Sequence, residues 1–65
     1  MKITKEEIIK IKKGEVRSYI VDSPAQAKAA HSMVYYVKRT CRPAGIDNYK
    51  VNVNYEENIV TIMAI

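Results

Sequence analysis

Residues 23 to 42, SPAQAKAAHSMVYYVKRTCR, decide the fold because they hold a full set of helix signals. Ser23 is a good N-cap, Pro24 stands where its missing N–H does no harm, and Gln26 completes a capping box. At the other end, Pro43 pushes the residue before it out of helical geometry. The stretch therefore predicts one long helix that begins after Ser23 and ends before Pro43.

One side of this helix is apolar and is predicted to face the core. Its apolar residues recur at three- and four-residue spacings, the period that brings side chains onto one helix face. They are Ala27, Ala30, Met33, Val34, Val37 and Cys41. A stripe of this kind needs a second layer to pack against, and the rest of the chain has to supply it.

A shorter helix is predicted at the start of the chain. Thr4 and Glu7 have the spacing of a capping box, so this helix is expected to begin at Lys5. Lysines in its last turn and Gly14 after them are typical of a helix end, which gives predicted bounds of residues 5 to 13.

Three strands are predicted around the two helices. Residues 15 to 21 are rich in β-branched and aromatic side chains, and residues 49 to 55 alternate between apolar and polar. Residues 59 to 65 are apolar at nearly every position, as in a strand placed centrally in a sheet. Between the last two strands, Asn58 is suited to the left-handed position of a three-residue hairpin loop.

The resulting order, α-β-α-β-β, places the chain in the α+β class, with the long helix packed on a three-stranded sheet. A crossover from the first strand through the long helix to the second strand, with the last strand slotted between them, gives a split β-α-β unit with a C-terminal hairpin. A simple meander is the alternative. No repeat, low-complexity tract or linker divides residues 1 to 65, so a single domain is predicted.

Length and composition limit the classes of protein. A chain of 65 residues buries only about 60% of its unfolded surface, so a self-made dimer would help its stability. The one cysteine, Cys41, cannot form an internal disulfide, which fits a reducing compartment. The apolar runs are too short to span a bilayer, and the N-terminus lacks the apolar core of a signal peptide. The protein is therefore predicted to be cytoplasmic and to have no membrane partner.

The sequence does not contain the signatures of catalysis. It has no G-x-S-x-G, no glycine-rich phosphate loop, no C-x-x-C and only one histidine, His31, which is expected to face solvent. The acid pairs Glu6-Glu7 and Glu56-Glu57 are explained by a helix start and a hairpin tip. A domain of this size also lacks room for a substrate-burying cleft. We therefore predict that the protein is not an enzyme and has no metal, cofactor or small-molecule substrate.

The outer face of the long helix carries the leading functional hypothesis. Eleven Lys and Arg against seven acids give a net charge of +4, and no acid falls between Asp22 and Asp47. The predicted nucleic-acid-binding residues on this face are Lys28, Tyr35, Lys38, Arg39 and Arg42. Cations at helical spacing attract phosphates, and the tyrosine ring can stack on a base. The hypothesis is a small basic accessory protein that binds nucleic acid with low sequence specificity, and the alternative is a merely solvated face.

A hypothesis of a different class places function on the sheet. The last strand has apolar side chains on both faces, and an exposed apolar face is typical of an interface with a protein partner or a second copy. The predicted interface residues are Val60, Ile62 and Met63, although the strand alternates, so that either Val60, Ile62 and Ala64 or Thr61 and Met63 point outward. The competing interpretation is that the first helix folds over this face through Ile8, Ile9 and Ile11.

A polar row on the second strand has two interpretations. Lys50, Asn52 and Asn54 share one face of the strand, and asparagine can bind adenine edges in a groove. The favoured interpretation is that lysine and asparagine protect an exposed sheet edge against mispairing.

Three segments of the chain look like those of known small proteins. They are Thr4-Lys5-Glu6-Glu7-Ile8, the stretch from Ala30-His31-Ser32 through Tyr36-Val37-Lys38-Arg39-Thr40, and Asn58-Ile59-Val60-Thr61-Ile62-Met63-Ala64-Ile65. In these the sequence resembles small uncharacterised accessory proteins of phages and mobile elements of gut bacteria. The resemblance implies a short intracellular accessory protein and provides no catalytic residue.

Overall fold

The computed structural model of the protein describes residues 3 to 65. Two helices and three strands follow one another as α1 (Lys5–Ile9), β1 (Val16–Ile20), α2 (Pro24–Thr40), β2 (Tyr49–Asn54) and β3 (Ile59–Ala64). This order confirms the predicted α+β class and the α-β-α-β-β succession of elements.

The three strands form one antiparallel sheet with β3 in the centre. The strand order is β1-β3-β2, and β3 pairs antiparallel with both neighbours. Because both outer strands run opposite to β3, they are parallel to each other, and α2 is the crossover that connects them. The split β-α-β arrangement is therefore confirmed, and the simple meander is wrong.

Helix α2 begins where its local signals predict and ends slightly before the predicted boundary at Pro43. Ser23 is the N-cap, and its Oγ accepts the N–H of Gln26 at 3.3 Å. The Gln26 Oε1 accepts the N–H of Asp22 at 2.9 Å, one residue before the cap amide that a capping box would use. The last helical residue is Thr40, and Cys41 follows it as the C-cap.

Helix α1 begins at Lys5 as predicted, but it ends at Ile9 and does not continue to Lys13. The chain leaves the helix because the following residues are bound elsewhere. The N–H of Gly14 donates to the carbonyl of Ala64 at 2.7 Å, beside a short parallel bridge between Lys13 and Ala64. Gly14 has a φ of 86°, the left-handed conformation expected at this turn.

The β2–β3 hairpin has four loop residues, Tyr55 to Asn58, and not the predicted three. Asn54 explains the longer loop, because its Oδ1 accepts the N–H groups of both Glu56 and Glu57, at 3.1 and 3.2 Å. Asn58 has a φ of 56°, so its predicted left-handed conformation is confirmed.

Both helices contribute to one core on one side of the sheet. α1 packs against α2, and α2 packs against β2 and β3. The buried apolar residues form a single cluster, made up of Ile3, Ile8, Ile11, Tyr19, Val21, Ala27, Ala30, Val34, Val37, Ile46, Tyr49, Val60, Ile62 and Ala64. The apolar stripe predicted for α2 is thus confirmed as core, with Met33 and Cys41 at its border.

The orientation of β3 corrects two of the predicted interface residues. Val60 and Ile62 have no exposed surface and lie in the core, so in the folded chain they are not available to a partner. Met63 points to the opposite face of the sheet and is half-buried. Apolar residues on both sides of a strand give no local sign of which side the helices cover, and here α2 covers the side of Val60 and Ile62.

The proposed covering of the second sheet face by α1 is wrong. Ile8 and Ile11 are buried in the common core, and α1 lies against α2. On the other side of the sheet, Val16 and Ile20 remain 54% and 71% exposed. The second face is therefore bare in the described chain.

The turn between α1 and β1 contains a carboxylate whose charge stabilises it. The Glu15 carboxylate accepts the Lys12 backbone N–H at 2.9 Å and an Arg17 guanidinium N–H at 3.3 Å. The Lys12 bond is the main reason that the pKa of Glu15 lies below its ordinary value of 4.5, and Arg17 acts in the same direction. A lowered folded-state pKa means that this contribution to stability is present above pH 4.5 and is lost as the pH falls through the lowered value.

We therefore expect Glu15→Gln to differ from the wild type in a pH-dependent way. Glutamine retains an acceptor for the Lys12 amide but has no charge, so the variant should be less stable at neutral pH. The difference in free energy of unfolding should shrink as the pH falls from 4.5 through the lowered pKa of Glu15, because below that value the wild-type carboxylate is protonated in the folded and the unfolded state alike. Urea unfolding at a series of pH values measures it. A difference that stays constant down to acid pH would contradict the assignment.

Candidate nucleic-acid interface

The solvent side of α2 carries a line of basic and aromatic side chains. Lys28, Tyr35 and Arg39 are spaced by seven and four residues and therefore lie along one line of the helix. All three are exposed, with 55% of Tyr35 accessible. His31 and Lys38 lie beside this line, the first exposed as predicted and the second half-buried. The sequence spacing thus located this face on the surface of the protein.

Lys38 and Tyr35 are in direct contact on this face. The Lys38 Nζ lies 5.4 Å from the centroid of the Tyr35 ring, within the range of a cation–π interaction. The contact holds the ammonium group over one face of the aromatic ring. A phosphate and its adjoining sugar or base present the complementary pair of groups.

The cations of α2 are largely free of opposing charge. Among the described residues, Lys28 and Arg39 form no ion pair, and the first turn of the helix contains no acid. Lys38 and Arg39 stand in the last turn, where they also offset the negative end of the helix macrodipole. The face is thus a positive surface without carboxylates of its own.

Arg42 lies outside the helix, which corrects its predicted place on the helical stripe. Because α2 ends at Thr40, the Arg42 side chain turns to the following loop and donates from Nη1 to the Asp47 carbonyl oxygen at 2.9 Å. The same residue, Asp47, meets Lys13 from the α1–β1 turn, with 3.9 Å between Nζ and Oδ2. Arg42 and Lys13 therefore meet at Asp47, in the loop that follows the helix.

We call this whole region the basic surface. It comprises Lys13, Lys28, Tyr35, Lys38, Arg39 and Arg42. Sequence reasoning missed Lys13, and no local signal marks it, because it is brought close to Arg42 only when the two turns meet at Asp47. Asp47 is the single acid that contacts these cations among the described side chains, and it is itself largely exposed.

The other half of the solvent side of α2 carries no charge. Ala29 and Met33 line two adjoining shallow pockets, one of which includes Tyr36 and the other Ile3, the residue before the N-cap of α1. Tyr36 is 53% exposed, and Met33 is half-buried at the edge of the core. The apolar residues at positions 29, 33 and 36 have helical spacing in the sequence, but Met33 was assigned to the core, so this second apolar line was not predicted.

The bare side of the sheet is the second surface of interest, and we call it the open sheet face. Cross-strand pairing places nine residues on it, namely Val16, Ser18, Ile20, Lys50, Asn52, Asn54, Ile59, Thr61 and Met63. Of the three predicted interface residues, Met63 alone belongs to it. The polar row of Lys50, Asn52 and Asn54 is exposed and lies on β2, an edge strand, where it can protect that edge.

Across residues 3 to 65, no three His, Cys, Asp or Glu side chains come together in a way that could hold a metal ion. None of the helices within that range is long and apolar enough to cross a bilayer. Cys41 is a free thiol at the border of the core, which is where its apolar neighbours in sequence had placed it.

Comparison with known proteins does not add a family to this description. No protein-family model matches the chain, and neither a curated protein nor a solved structure gives a significant match. The resemblance to accessory proteins of phages and mobile elements stays a prediction.

Proposed function

We propose that the protein is a small cytoplasmic accessory protein, not an enzyme, that binds nucleic acid through its basic surface. The contacts are made with phosphates, and sequence selectivity is low. The observation that carries the proposal is the acid-free line of Lys28, Tyr35 and Arg39 on α2, extended by Lys38, Arg42 and Lys13.

The roles of the side chains follow from their positions. Lys28 and Arg39 are exposed and unpaired with acids in the described chain, so they can neutralise phosphates without first breaking an ion pair. Tyr35, held beside the Lys38 ammonium, offers a surface for a sugar or a base. None of these side chains is arranged with a partner that would select one base over another, because base readout needs paired donors and acceptors aimed into a groove. The proposed binding is therefore electrostatic in origin.

The strength of binding should depend steeply on salt. If Lys28, Lys38, Arg39 and Arg42 each neutralise one phosphate, the logarithm of the binding constant falls with a slope of about −3.6 against the logarithm of salt on duplex DNA. Between about 50 mM and about 200 mM salt the affinity then falls by about 100-fold. Fluorescence anisotropy with short labelled DNA and RNA, single- and double-stranded and of mixed sequence, measures this dependence.

The test compares two variants of equal charge. Lys28→Gln with Arg39→Gln removes two cations of the basic surface, whereas Lys5→Gln with Lys10→Gln removes two exposed cations of α1 and its C-cap. Both lower the net charge from +4 to +2. We expect the slope to become shallower by about 1.8 in the first variant and to stay close to the wild type in the second.

Two results would refute the proposal. One is the absence of binding to every probe at low salt. The other is an equal loss of affinity and an equally shallow salt dependence in the two variants. That result would mean that the net charge attracts the nucleic acid and that the position of the cations on the basic surface does not matter.

A further inference from the structure

The open sheet face is more apolar than a solvent-exposed surface of this size needs to be. Ile20 is 71% exposed and Val16 is 54% exposed, and both flank the half-buried side chains of β3. Exposed apolar residues that adjoin further apolar side chains on one face are typical of a surface that is covered by a partner. The face bears one formal charge, that of Lys50. Removing water from the face therefore costs little free energy, except at the corner where Lys50 lies.

The residues of this face are arranged symmetrically about its middle row. The middle row is formed by Ser18, Thr61 and Asn52. On one side of it lie Val16, Met63 and Lys50, and on the other side lie Ile20, Ile59 and Asn54. The order of side-chain types along each strand is therefore the same in both directions. It is apolar, hydroxyl, apolar on β1 and on β3, whereas all three side chains on β2 are polar.

Such a pattern is self-complementary under a two-fold axis. If the axis lies in the plane of the face, perpendicular to the strands and through the middle row, Val16 lies over the partner's Ile20 and Met63 over the partner's Ile59. Lys50 then meets the partner's Asn54, so that no two cations oppose each other. The middle row meets itself, and two of its hydroxyls are already hydrogen-bonded to each other, because Ser18 Oγ and Thr61 Oγ1 are 3.1 Å apart. Matching of a surface with itself is the requirement for an isologous dimer.

We propose that the open sheet face binds a second copy of this chain, in a two-fold dimer that pairs the sheets face to face. The two sheets form a sandwich with their strands aligned, and the helices lie on its two outer sides. The basic surface of each copy is then directed away from the interface, because α2 packs on the opposite side of the sheet. The dimer does not depend on nucleic-acid binding.

The size of the face predicts a weak dimer. Three strands at a spacing of about 4.8 Å and about five residues at about 3.3 Å each make a face about 14 Å wide and 17 Å long. Two such faces bury less area than a stable complex usually does, which is about 1,200 Å² or more. We therefore expect a dissociation constant in the range of about 10 µM to 1 mM.

Sedimentation at a series of protein concentrations tests the proposal. The weight-average mass of the wild type should rise from 7.4 kDa towards twice that value across this range. Val16→Lys and Ile20→Glu, each checked for folding by circular dichroism, should each raise the dissociation constant by at least about tenfold, since each places a charge against an apolar side chain of the partner. Tyr36→Lys, which changes an exposed aromatic residue on α2, is the matched control and should leave association unchanged.

A mixture of the two sheet variants tests the register itself. In the two-fold arrangement, the new lysine of one copy meets the new glutamate of the other, while the second Val16–Ile20 contact remains apolar. An equimolar mixture of Val16→Lys and Ile20→Glu should therefore associate where neither variant does alone. A wild type that stays monomeric up to about 1 mM, an association lost in Tyr36→Lys but kept in the sheet variants, or a mixture that fails to associate would each overturn the proposal.

Discussion

Ile62→Ala should lower the free energy of unfolding by about 3 to 4 kcal/mol. Ile62 has no exposed surface and lies on β3, the central strand, between Arg17 on one side and Val51 on the other. Truncation removes buried apolar area and leaves a cavity that the two flanking strands cannot easily close. A domain of this size has a total stability of roughly 3 to 10 kcal/mol, so the substitution should remove about a third of it or more.

The neighbouring residue provides the matched control. Met63 lies on the same strand but on the open sheet face, and Met63→Ala should cost at most about 1 kcal/mol. Urea unfolding followed by circular dichroism, at protein concentrations low enough to avoid association, measures both variants. Equal losses would contradict the orientation of β3, because the two residues point to opposite faces of the sheet. The comparison thus tests directly whether the side chain of Ile62 lies in the core and that of Met63 on the open sheet face.

Much of this fold was predictable because its signals are local. The bounds of α2 follow from Ser23, Pro24 and Pro43, which act on the backbone of their immediate neighbours. The alternation of β2 and the uniformly apolar β3 correctly identified an edge strand and a central strand. The basic residues on α2 were located by the same helical period that located its buried stripe.

The errors arose where distant contacts decide the structure. The predicted extension of α1 to Lys13 fails because Lys13 is bridged to Ala64 and Gly14 is hydrogen-bonded to it, and no local pattern indicates a contact with a residue so distant in the sequence. The outward face of β3 was undetermined for a related reason, since apolar residues occupy both of its faces. Arg42 has the spacing of the helical stripe, but its hydrogen bond to Asp47 takes it away from the helix. In each case the sequence pattern allowed two arrangements, and a tertiary contact chose between them.

We expect Ile8→Ala to be nearly as damaging as the change at Ile62, with a loss of about 3 kcal/mol in the free energy of unfolding. Ile8 has no exposed surface and belongs to the common core, in which α1 packs against α2. α1 has only five residues, too few to form a helix on its own in water. Its helical state therefore depends on the burial of this side chain, and losing that burial should release α1 together with much of the stability of the domain.

Ile9 makes the test specific, because the same substitution can be made one residue away. Ile9 is 37% exposed, and Ile9→Ala should cost at most about 1 kcal/mol. Chemical unfolding of the two variants, with hydrogen exchange of the α1 amides, separates a loss of packing from a general weakening of the helix. If Ile9→Ala were the costlier change, α1 would be docked through the side that carries Ile9, and not through the side that is buried in the common core. A large cost at Ile8 alone means that α1 is held against α2 by the one side chain of the helix that the core encloses.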